Sequence, residues 1–159
     1  MAIHMLSILT AEERSETDVK HTILLIDDSP MDADLVKRSL SQGPGAPHLI
    51  IADDGVEALR MLRETPGRAA LPDLILLDLN MPRQSGLRIL TEIKSDPVLR
   101  PIPVVVMTSS KADRDVSSAY GQHANCYITK PMDIEGFAET LRDIEMFWFS
   151  RAVLPSHHA

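Results

Sequence analysis

Cysteine and long apolar runs are both scarce in this sequence. Cys126 is the one cysteine among 159 residues, so no disulfide can form within the chain, as is usual in a reducing compartment. No apolar run approaches the roughly 20 residues that a membrane span needs. The N-terminus also lacks the basic, apolar and small-residue order of a signal peptide. We therefore expect a cytoplasmic protein without a membrane segment, in which Cys126 is a buried small hydrophobic residue.

Positive charge is also in short supply. The 16 Lys and Arg residues are outnumbered by 23 Asp and Glu residues, which gives a formal net charge of −7. Such an acidic chain has no electrostatic reason to bind nucleic acid, and no cluster of basic residues reverses this locally. Nucleic acid is therefore not expected among the partners.

The residues that are present suffice for one folded domain. With 44% hydrophobic residues, the chain is able to bury a core of its own. Residues 1–20 are interpreted as a polar N-terminal extension, residues 21–149 as the domain and residues 150–159 as a C-terminal tail. Because 28 residues follow Pro131 and most of them are needed for the last predicted helix, we expect no DNA-binding output domain after it.

Short apolar runs alternate with helical patterns five times along the chain. The runs are continuously apolar inside, as parallel strands covered on both faces require, and they lie at 22–26, 48–52, 74–77, 102–107 and 126–129. Apolar residues at helical spacing occupy the segments 31–41, 55–64, 85–95, 111–121 and 133–149. This alternation predicts an α/β fold with a parallel five-stranded sheet and helices on both faces.

Polar side chains stand at the carboxyl ends of four predicted strands. They are Asp27, Asp28, Asp78, Thr108 and Lys130. In such a sheet, functional groups gather at this edge, near a topological switch point. Three neighbouring carboxylates repel one another, and a hard cation such as Mg²⁺ compensates them, with the backbone carbonyl of Asn80 as a further oxygen ligand.

This set of groups matches what phosphoryl transfer requires. A carboxylate beside Mg²⁺ is able to attack phosphorus and form an aspartyl phosphate. The transfer needs in-line placement and neutralised equatorial oxygens, which the metal, Lys130 and the Thr108 hydroxyl can supply. Taken singly, each residue has a plainer explanation as a helix cap, a turn former or a surface group. Their joint occurrence at the strand ends favours the functional interpretation.

Four segments resemble the receiver domain of bacterial two-component response regulators. They are ILLIDDSP at 23–30, DLILLDLNMP at 73–82, VVVMTSS at 104–110 and YITKP at 127–131. The resemblance covers about residues 21–149. It implies a flavodoxin-like (CheY-like) doubly wound fold with strand order 2-1-3-4-5.

The resemblance also implies a role for each acidic residue of the strand ends. Asp78 aligns with the phosphoacceptor, Asp28 with a direct Mg²⁺ ligand and Asp27 with an acid that holds metal-bound water. Asn80 aligns with the position that gives a backbone carbonyl to the metal. Mn²⁺ or Ca²⁺ is expected to be able to replace Mg²⁺.

Three further positions match the parts of the family that respond to phosphorylation. Thr108 and Lys130 align with the pair that senses and neutralises the phosphoryl group, and Tyr127 aligns with the aromatic switch residue. The family typically has a cis bond at Lys130–Pro131, so the resemblance implies a cis peptide here, despite the general trans preference.

The C-terminal part of the chain resembles a narrower group. HANCYITKP at 123–131 and EMFWFS at 145–150 are similar to stand-alone response regulators that serve phytochrome-type histidine kinases. This resemblance implies a phytochrome-type sensor histidine kinase as partner and a homodimer through the last helix and tail. One helix face cannot bury the consecutive Phe147, Trp148 and Phe149. Either Trp148 enters the core while the other two rings lie against loops, or the aromatics contact a second copy.

Two rival functions share parts of the pattern. A Mg²⁺-dependent aspartyl phosphohydrolase usually needs a second Asp two residues after its nucleophile as general acid, where this chain has Asn80. A receiver-fold interaction module with a dead site would not need the complete set of strand-end residues. The sequence thus predicts a response regulator that is not an enzyme, that signals by contact with an unidentified downstream protein and that resets by slow hydrolysis.

Overall fold

The computed structural model describes residues 20–155. Except for Lys20, the N-terminal extension predicted for residues 1–20 lies outside the described residues, as do residues 156–159 of the tail. Within the described part of the chain, no helix is both long enough and apolar enough to cross a bilayer.

Strands and helices alternate along the described chain. Their order is β1 (Thr22–Ile26), α1 (Pro30–Ser39), β2 (His48–Ala52), α2 (Gly55–Glu64), a 3₁₀ turn (Arg68–Ala70), β3 (Leu74–Leu77), α3 (Gly86–Ser95), β4 (Val104–Thr108), α4 (Asp113–Gly121), β5 (Cys126–Thr129), α5 (Ile134–Met146) and a π-helical turn (Phe147–Arg151). The predicted bounds of four strands agree with these. Strand β4 begins two residues later than predicted, because Pro101 and Pro103 carry no N–H group for a ladder.

The five strands form one parallel sheet in the order β2-β1-β3-β4-β5, which confirms the predicted topology. In the central pair, Ile26 of β1 lies in register with Leu77 of β3. At the other side, Thr108 of β4 lies in register with Thr129 of β5. The residues that follow β1, β3 and β5 therefore leave the same edge of the sheet.

Two apolar layers cover the sheet, one on each face. Leu24 and Ile26 of β1 pack with α2, α3 and α4, whereas Ile23 and Leu25 pack with α1 and α5. This alternation follows from the two-residue period of a strand. Cys126 packs in the α1 and α5 layer but is only half-buried, because β5 is an edge strand. Burial nevertheless raises the pKa of its thiol above the ordinary value.

Side-chain caps fix where three helices begin. Ser29 accepts a hydrogen bond from the Asp32 N–H at 3.2 Å, with Pro30 in the first helical turn. Asp54 accepts from Val56 and Glu57, and Asp133 accepts from Gly136. These caps satisfy N–H groups that the helices cannot pair internally. The α-helical part of α5 ends at Met146, three residues before the predicted end, and passes into the π-helical turn.

Gly86 allows the start of α3 to lie against the backbone that directly follows the third strand. A Cβ atom at this position would lie 2.3 Å from the Asp78 carbonyl oxygen and 2.5 Å from the Leu79 Cα atom. The first turn of α3 therefore rests on the backbone that carries Asp78, and only glycine fits between them. The Gly86 N–H donates to the Leu79 carbonyl at 3.1 Å and closes this turn.

Replacing this glycine should therefore cost more stability than an ordinary helix substitution. We expect Gly86→Ala to lower the free energy of unfolding by about 2–3 kcal/mol, because backbone must move to make room. Gly121→Ala in α4 is the matched control, since nothing lies within 4 Å of its added Cβ atom. It should gain about 0.5–1 kcal/mol. Urea unfolding measures both, and equal midpoints for the two variants would contradict the close approach.

Candidate phosphoacceptor site

The first and third strands deliver two buried carboxylates to one edge. The backbone N–H of Asp27 still donates to the Ala52 carbonyl at 3.1 Å, and that of Asp78 donates to the Ile26 carbonyl at 3.0 Å. Both residues thus continue the ladder by one hydrogen bond beyond their strands. Asp27 is 2% exposed and Asp78 is 6% exposed, so both carboxylates leave bulk water when the chain folds.

Asp28 completes a cluster of three acids. One carboxylate oxygen from each of Asp27, Asp28 and Asp78 lies within 4.8 Å of the other two. Burial raises the pKa of Asp27 above its ordinary value, and the hydrogen bond from Lys130 only partly offsets this effect. The negative charge of Asp78 acts in the same direction as burial. Such a set of hard oxygen donors, short of positive charge, fits a divalent cation of the Mg²⁺ type.

Lys130 brings a positive charge into contact with this cluster. Its Nζ atom donates to Asp27 Oδ2 at 2.9 Å, to Asp78 Oδ2 at 3.1 Å and to Asp32 Oδ2 at 2.7 Å. Burial alone would lower the pKa of Lys130, but these hydrogen bonds and the charges of Asp27 and Asp78 outweigh it and hold the pKa above its usual range. The side chain is therefore a fixed ammonium group.

Asp32 is a member of this network that the sequence pattern does not single out. It lies in the first turn of α1 and not at a strand end. Acids are ordinary in first turns, because they favour the positive end of the helix dipole. The available signal is that α1 starts directly behind the Asp27–Asp28 pair, which places its first turn beside the same edge of the sheet.

Thr108 and Asn80 are joined at the floor of the site. Thr108 is fully buried, and its Oγ1 atom accepts a hydrogen bond from Asn80 Nδ2 at 3.0 Å. The Asn80 backbone N–H donates to Asp78 Oδ1 at 3.0 Å, and the Lys130 N–H donates to the Thr108 carbonyl at 2.8 Å. The metal-binding role of the Asn80 carbonyl stays a prediction. The hydrogen bond from the Asn80 side-chain amide to Thr108 was not predicted from the sequence.

Tyr127 reaches from the fifth strand to the loop that follows Thr108. Its hydroxyl donates to the Ser110 carbonyl at 2.9 Å, and its ring packs beside the α2–α4 apolar layer. Its backbone N–H donates to the Tyr120 hydroxyl at 3.2 Å. The residue that aligns with the family's switch position is thus hydrogen-bonded to the loop that directly follows Thr108.

The implied cis bond at Lys130–Pro131 is wrong for this structure. No cis peptide bond occurs among residues 20–155, so this bond is trans, in line with the general preference of X–Pro bonds. The trans backbone still allows Lys130 to donate to Thr108 through its N–H and to three carboxylates through its ammonium group. The ionic contacts of the site therefore form without the cis bond.

The three C-terminal aromatics do not share one environment. Trp148 and Phe149 are half-buried against the α1 and α5 layer. Phe149 also stacks on His21, with ring centroids 4.3 Å apart and planes within 3°. Phe147 remains 54% exposed and meets Trp148 edge to face at 5.1 Å. Trp148 and Phe149 are therefore partly buried against the core, and Phe147 lies on the surface.

The surplus of negative charge leads to a prediction about stability. Asp28→Asn should raise the melting temperature of the metal-free protein by a few degrees, because it removes one of three repelling carboxylates. The same change should remove most of the stabilisation that added Mg²⁺ gives the wild type. Asp34→Asn, which alters an exposed ion pair with Arg38, should change neither value.

Calorimetry or circular dichroism in EDTA and in Mg²⁺ provides the two melting temperatures for each protein. If Mg²⁺ stabilises the Asp28→Asn variant as much as the wild type, the cation does not bind at this cluster.

Comparison with known proteins agrees with the geometry. A family model described as a response regulator receiver domain matches residues 23–142. Response regulator Rcp1 of Synechocystis sp. is 38% identical over 143 residues, which span 89% of this chain and 97% of that protein. The structure of phosphorylated RcpA, a cyanobacterial phytochrome response regulator, superimposes with a TM-score of 0.81 at 40% identity and covers 86% of this chain and 99% of that one. The Mn²⁺-bound form of Rcp1 gives 0.77 at 38% identity with the same coverage of both chains. This chain belongs to the response regulator receiver domain family.

Proposed function

We propose that this protein is a phosphorylation-controlled signalling switch whose acceptor is Asp78. The observation that carries this proposal is the contact between Lys130 Nζ and Asp78 Oδ2, at 3.1 Å, inside a cluster of three acids. A lone carboxylate at a strand end has many ordinary roles, but a buried one that faces a fixed ammonium group and two further acids does not. The arrangement supplies a nucleophile together with positive charge for the oxygens of an incoming phosphoryl group.

In the proposed reaction, an oxygen of Asp78 attacks the phosphorus atom of a phosphohistidine on a sensor kinase. The new O–P bond forms while the P–N bond breaks, and its electron pair returns to the imidazole nitrogen. Asp27, Asp28 and Asp78 would hold a divalent cation, Mg²⁺ or in its place Mn²⁺ or Ca²⁺, which when bound offsets negative charge on the acids and the phosphoryl oxygens. Lys130 turns one donor from the Asp78 carboxylate to the phosphoryl group.

The switch then runs through Thr108. Its oxygen already accepts from Asn80, so its hydroxyl hydrogen is available to a phosphoryl oxygen. Movement of Thr108 toward that oxygen pulls the loop whose Ser110 carbonyl holds the Tyr127 hydroxyl. Tyr127 then changes its position, and the surface made by α4, β5 and α5 changes shape for a downstream protein to recognise. Phosphorylation in this scheme shifts a population between two states.

The likeness to Rcp1 and RcpA supports a more specific setting. RcpA is a cyanobacterial phytochrome response regulator, so the proposed phosphodonor of this chain is a phytochrome-type histidine kinase in the cytoplasm. Slow hydrolysis of the acyl phosphate resets the switch, and the protein turns over no external substrate. At the position where phosphohydrolases place a general acid, the Asn80 amide is engaged with Thr108.

The acceptor is tested by a matched pair of variants. Asp78→Asn should take up no phosphoryl group from acetyl phosphate and Mg²⁺, because an amide oxygen is a far weaker nucleophile. Asp53→Asn, which alters an exposed acid in the neighbouring loop, should be phosphorylated like the wild type. Intact mass spectrometry detects the added group. Wild-type labelling of Asp78→Asn would contradict the assignment, and steady turnover of small phosphate esters would favour the phosphohydrolase alternative.

We also propose a homodimer through the last helix and the tail. Three apolar side chains are exposed at this end of the molecule, namely Met146, Phe147 and Val153. Exposed apolar side chains grouped in this way are typical of protein interfaces, and aromatic residues are enriched in interface cores. Phe147 is the natural anchor of the three, because Trp148 and Phe149 already contribute to the fold.

The proposed interface predicts a change of mass from one substitution. Phe147→Ser should convert the dimer to a folded monomer in light scattering, since it removes the exposed aromatic group and leaves the core in place. Met132→Ser is the control, because Met132 is a fully exposed apolar residue two residues before the start of α5, away from Phe147. Phe149 is less suitable for this test, because it stacks on His21. An unchanged particle mass for Phe147→Ser would remove the proposed interface.

A further inference from the structure

All three donors of the Lys130 ammonium group are already in use. An ammonium group has three N–H donors, and here each has a carboxylate partner. The three carboxylates come from three parts of the fold, namely the end of β1, the first turn of α1 and the end of β3. The contact with Asp32 is the shortest of the three, at 2.7 Å.

Two of these three carboxylates are also part of the proposed metal and phosphoryl site. Asp27 and Asp78 belong to the three-acid cluster, whereas Asp32 does not. When a cation occupies that cluster, it competes with Lys130 for the oxygens of Asp27 and Asp78. When Asp78 carries a phosphoryl group, its carboxylate charge is no longer available to Lys130. Of the three partners of Lys130, Asp32 alone lies outside the three-acid cluster that would bind the cation and the phosphoryl group.

The helical turn that contains Asp32 is anchored by a side-chain cap and by core packing. Its N–H donates to Ser29 Oγ, and Pro30 starts the helix with a restricted backbone angle. The next residue, Ala33, and Val36 one turn later are buried in the layer between the sheet and α5. The turn that carries the Asp32 carboxylate is therefore anchored by a cap and by core packing, 2.7 Å from the Lys130 ammonium group at the end of β5.

We propose that Asp32 is a positioning residue that keeps the Lys130 ammonium group beside Asp78 while the cation and the phosphoryl group occupy the other acids. This inference rests on the proposed function of the site. In the absence of Asp32, Lys130 would be held by Asp27 and Asp78 alone. The ammonium group would then compete with the cation for the same oxygens, and no carboxylate outside the three-acid cluster would hold it while Asp78 is phosphorylated.

The experiment compares four proteins. They are the wild type, Asp32→Asn, Asp32→Glu and Asp34→Asn. Asp32→Asn is isosteric and removes the charge, whereas Asp32→Glu keeps a carboxylate on the same turn. Asp34→Asn removes a charge from the same helix, where Asp34 pairs with Arg38 at 2.9 Å on the surface and not with Lys130. Circular dichroism first establishes that all four proteins are folded.

Three readouts follow. The first is the ¹⁵N–¹H signal of the Lys130 ammonium group in metal-free protein, assigned by its loss in Lys130→Arg. The second is Mg²⁺ affinity by calorimetry, and the third is the initial rate of phosphorylation by acetyl phosphate at saturating Mg²⁺. For Asp32→Asn we expect the ammonium signal to broaden or vanish, and affinity and rate each to fall about 10-fold. Asp32→Glu should restore most of each readout, and Asp34→Asn should match the wild type.

A structural role for Asp32 in starting α1 would give a different pattern. If Asp32→Asn lowers only the melting temperature and matches Asp34→Asn in all three readouts, the proposal is overturned. The proposed function can fail separately from this inference. If the wild type itself accepts no phosphoryl group, that function is wrong, whereas the ammonium signal and the Mg²⁺ affinity still decide the role of Asp32.

Discussion

The pairing of one ammonium group with two buried acids and one half-buried acid is the interaction on which the rest of the structure depends. Removing charges from water costs several kcal/mol for each ion unless partners replace the lost hydration. Lys130 supplies that replacement to Asp27, Asp32 and Asp78, but one positive charge cannot balance all the acids at this edge. The remaining negative charge is what makes the site receptive to a divalent cation. The same imbalance that costs stability in the metal-free protein is thus the source of its chemistry.

The parallel sheet is what brings these groups together. Lys130 and Asp27 are 103 positions apart in the chain, and Lys130 and Asp78 are 52 positions apart. Only a topology in which β1, β3 and β5 point the same way can place their following residues at one edge. The apolar layers on the two faces hold this register, and Gly86 lets α3 approach the backbone of Asp78 closely. The geometry of the site is therefore set by core packing rather than by the loops alone.

Much of this arrangement could be predicted from the sequence, because fully buried strands leave a continuous apolar pattern and polar residues mark their ends. Asp27, Asp28, Asp78, Thr108 and Lys130 were identified in this way. Asp32 could not be, since an acid in a first helical turn has an ordinary explanation and its partner is set by tertiary structure. Packing that no local pattern encodes also sets the hydrogen bond from the Asn80 amide to Thr108. It likewise decides that Phe147 is exposed and Phe149 half-buried. The bond before Pro131 is trans in the structure, whereas the resemblance implied a cis bond.

The central claim is that Lys130 and Asp78 stabilise each other as a buried ion pair. A double-mutant cycle of Lys130→Met and Asp78→Asn, followed by urea unfolding in EDTA, measures this interaction directly. The account predicts that the two substitutions are not additive and that their coupling energy is about 1–3 kcal/mol, because either single change leaves the other charge with one partner fewer. Additive effects, with a coupling energy near zero, would contradict it.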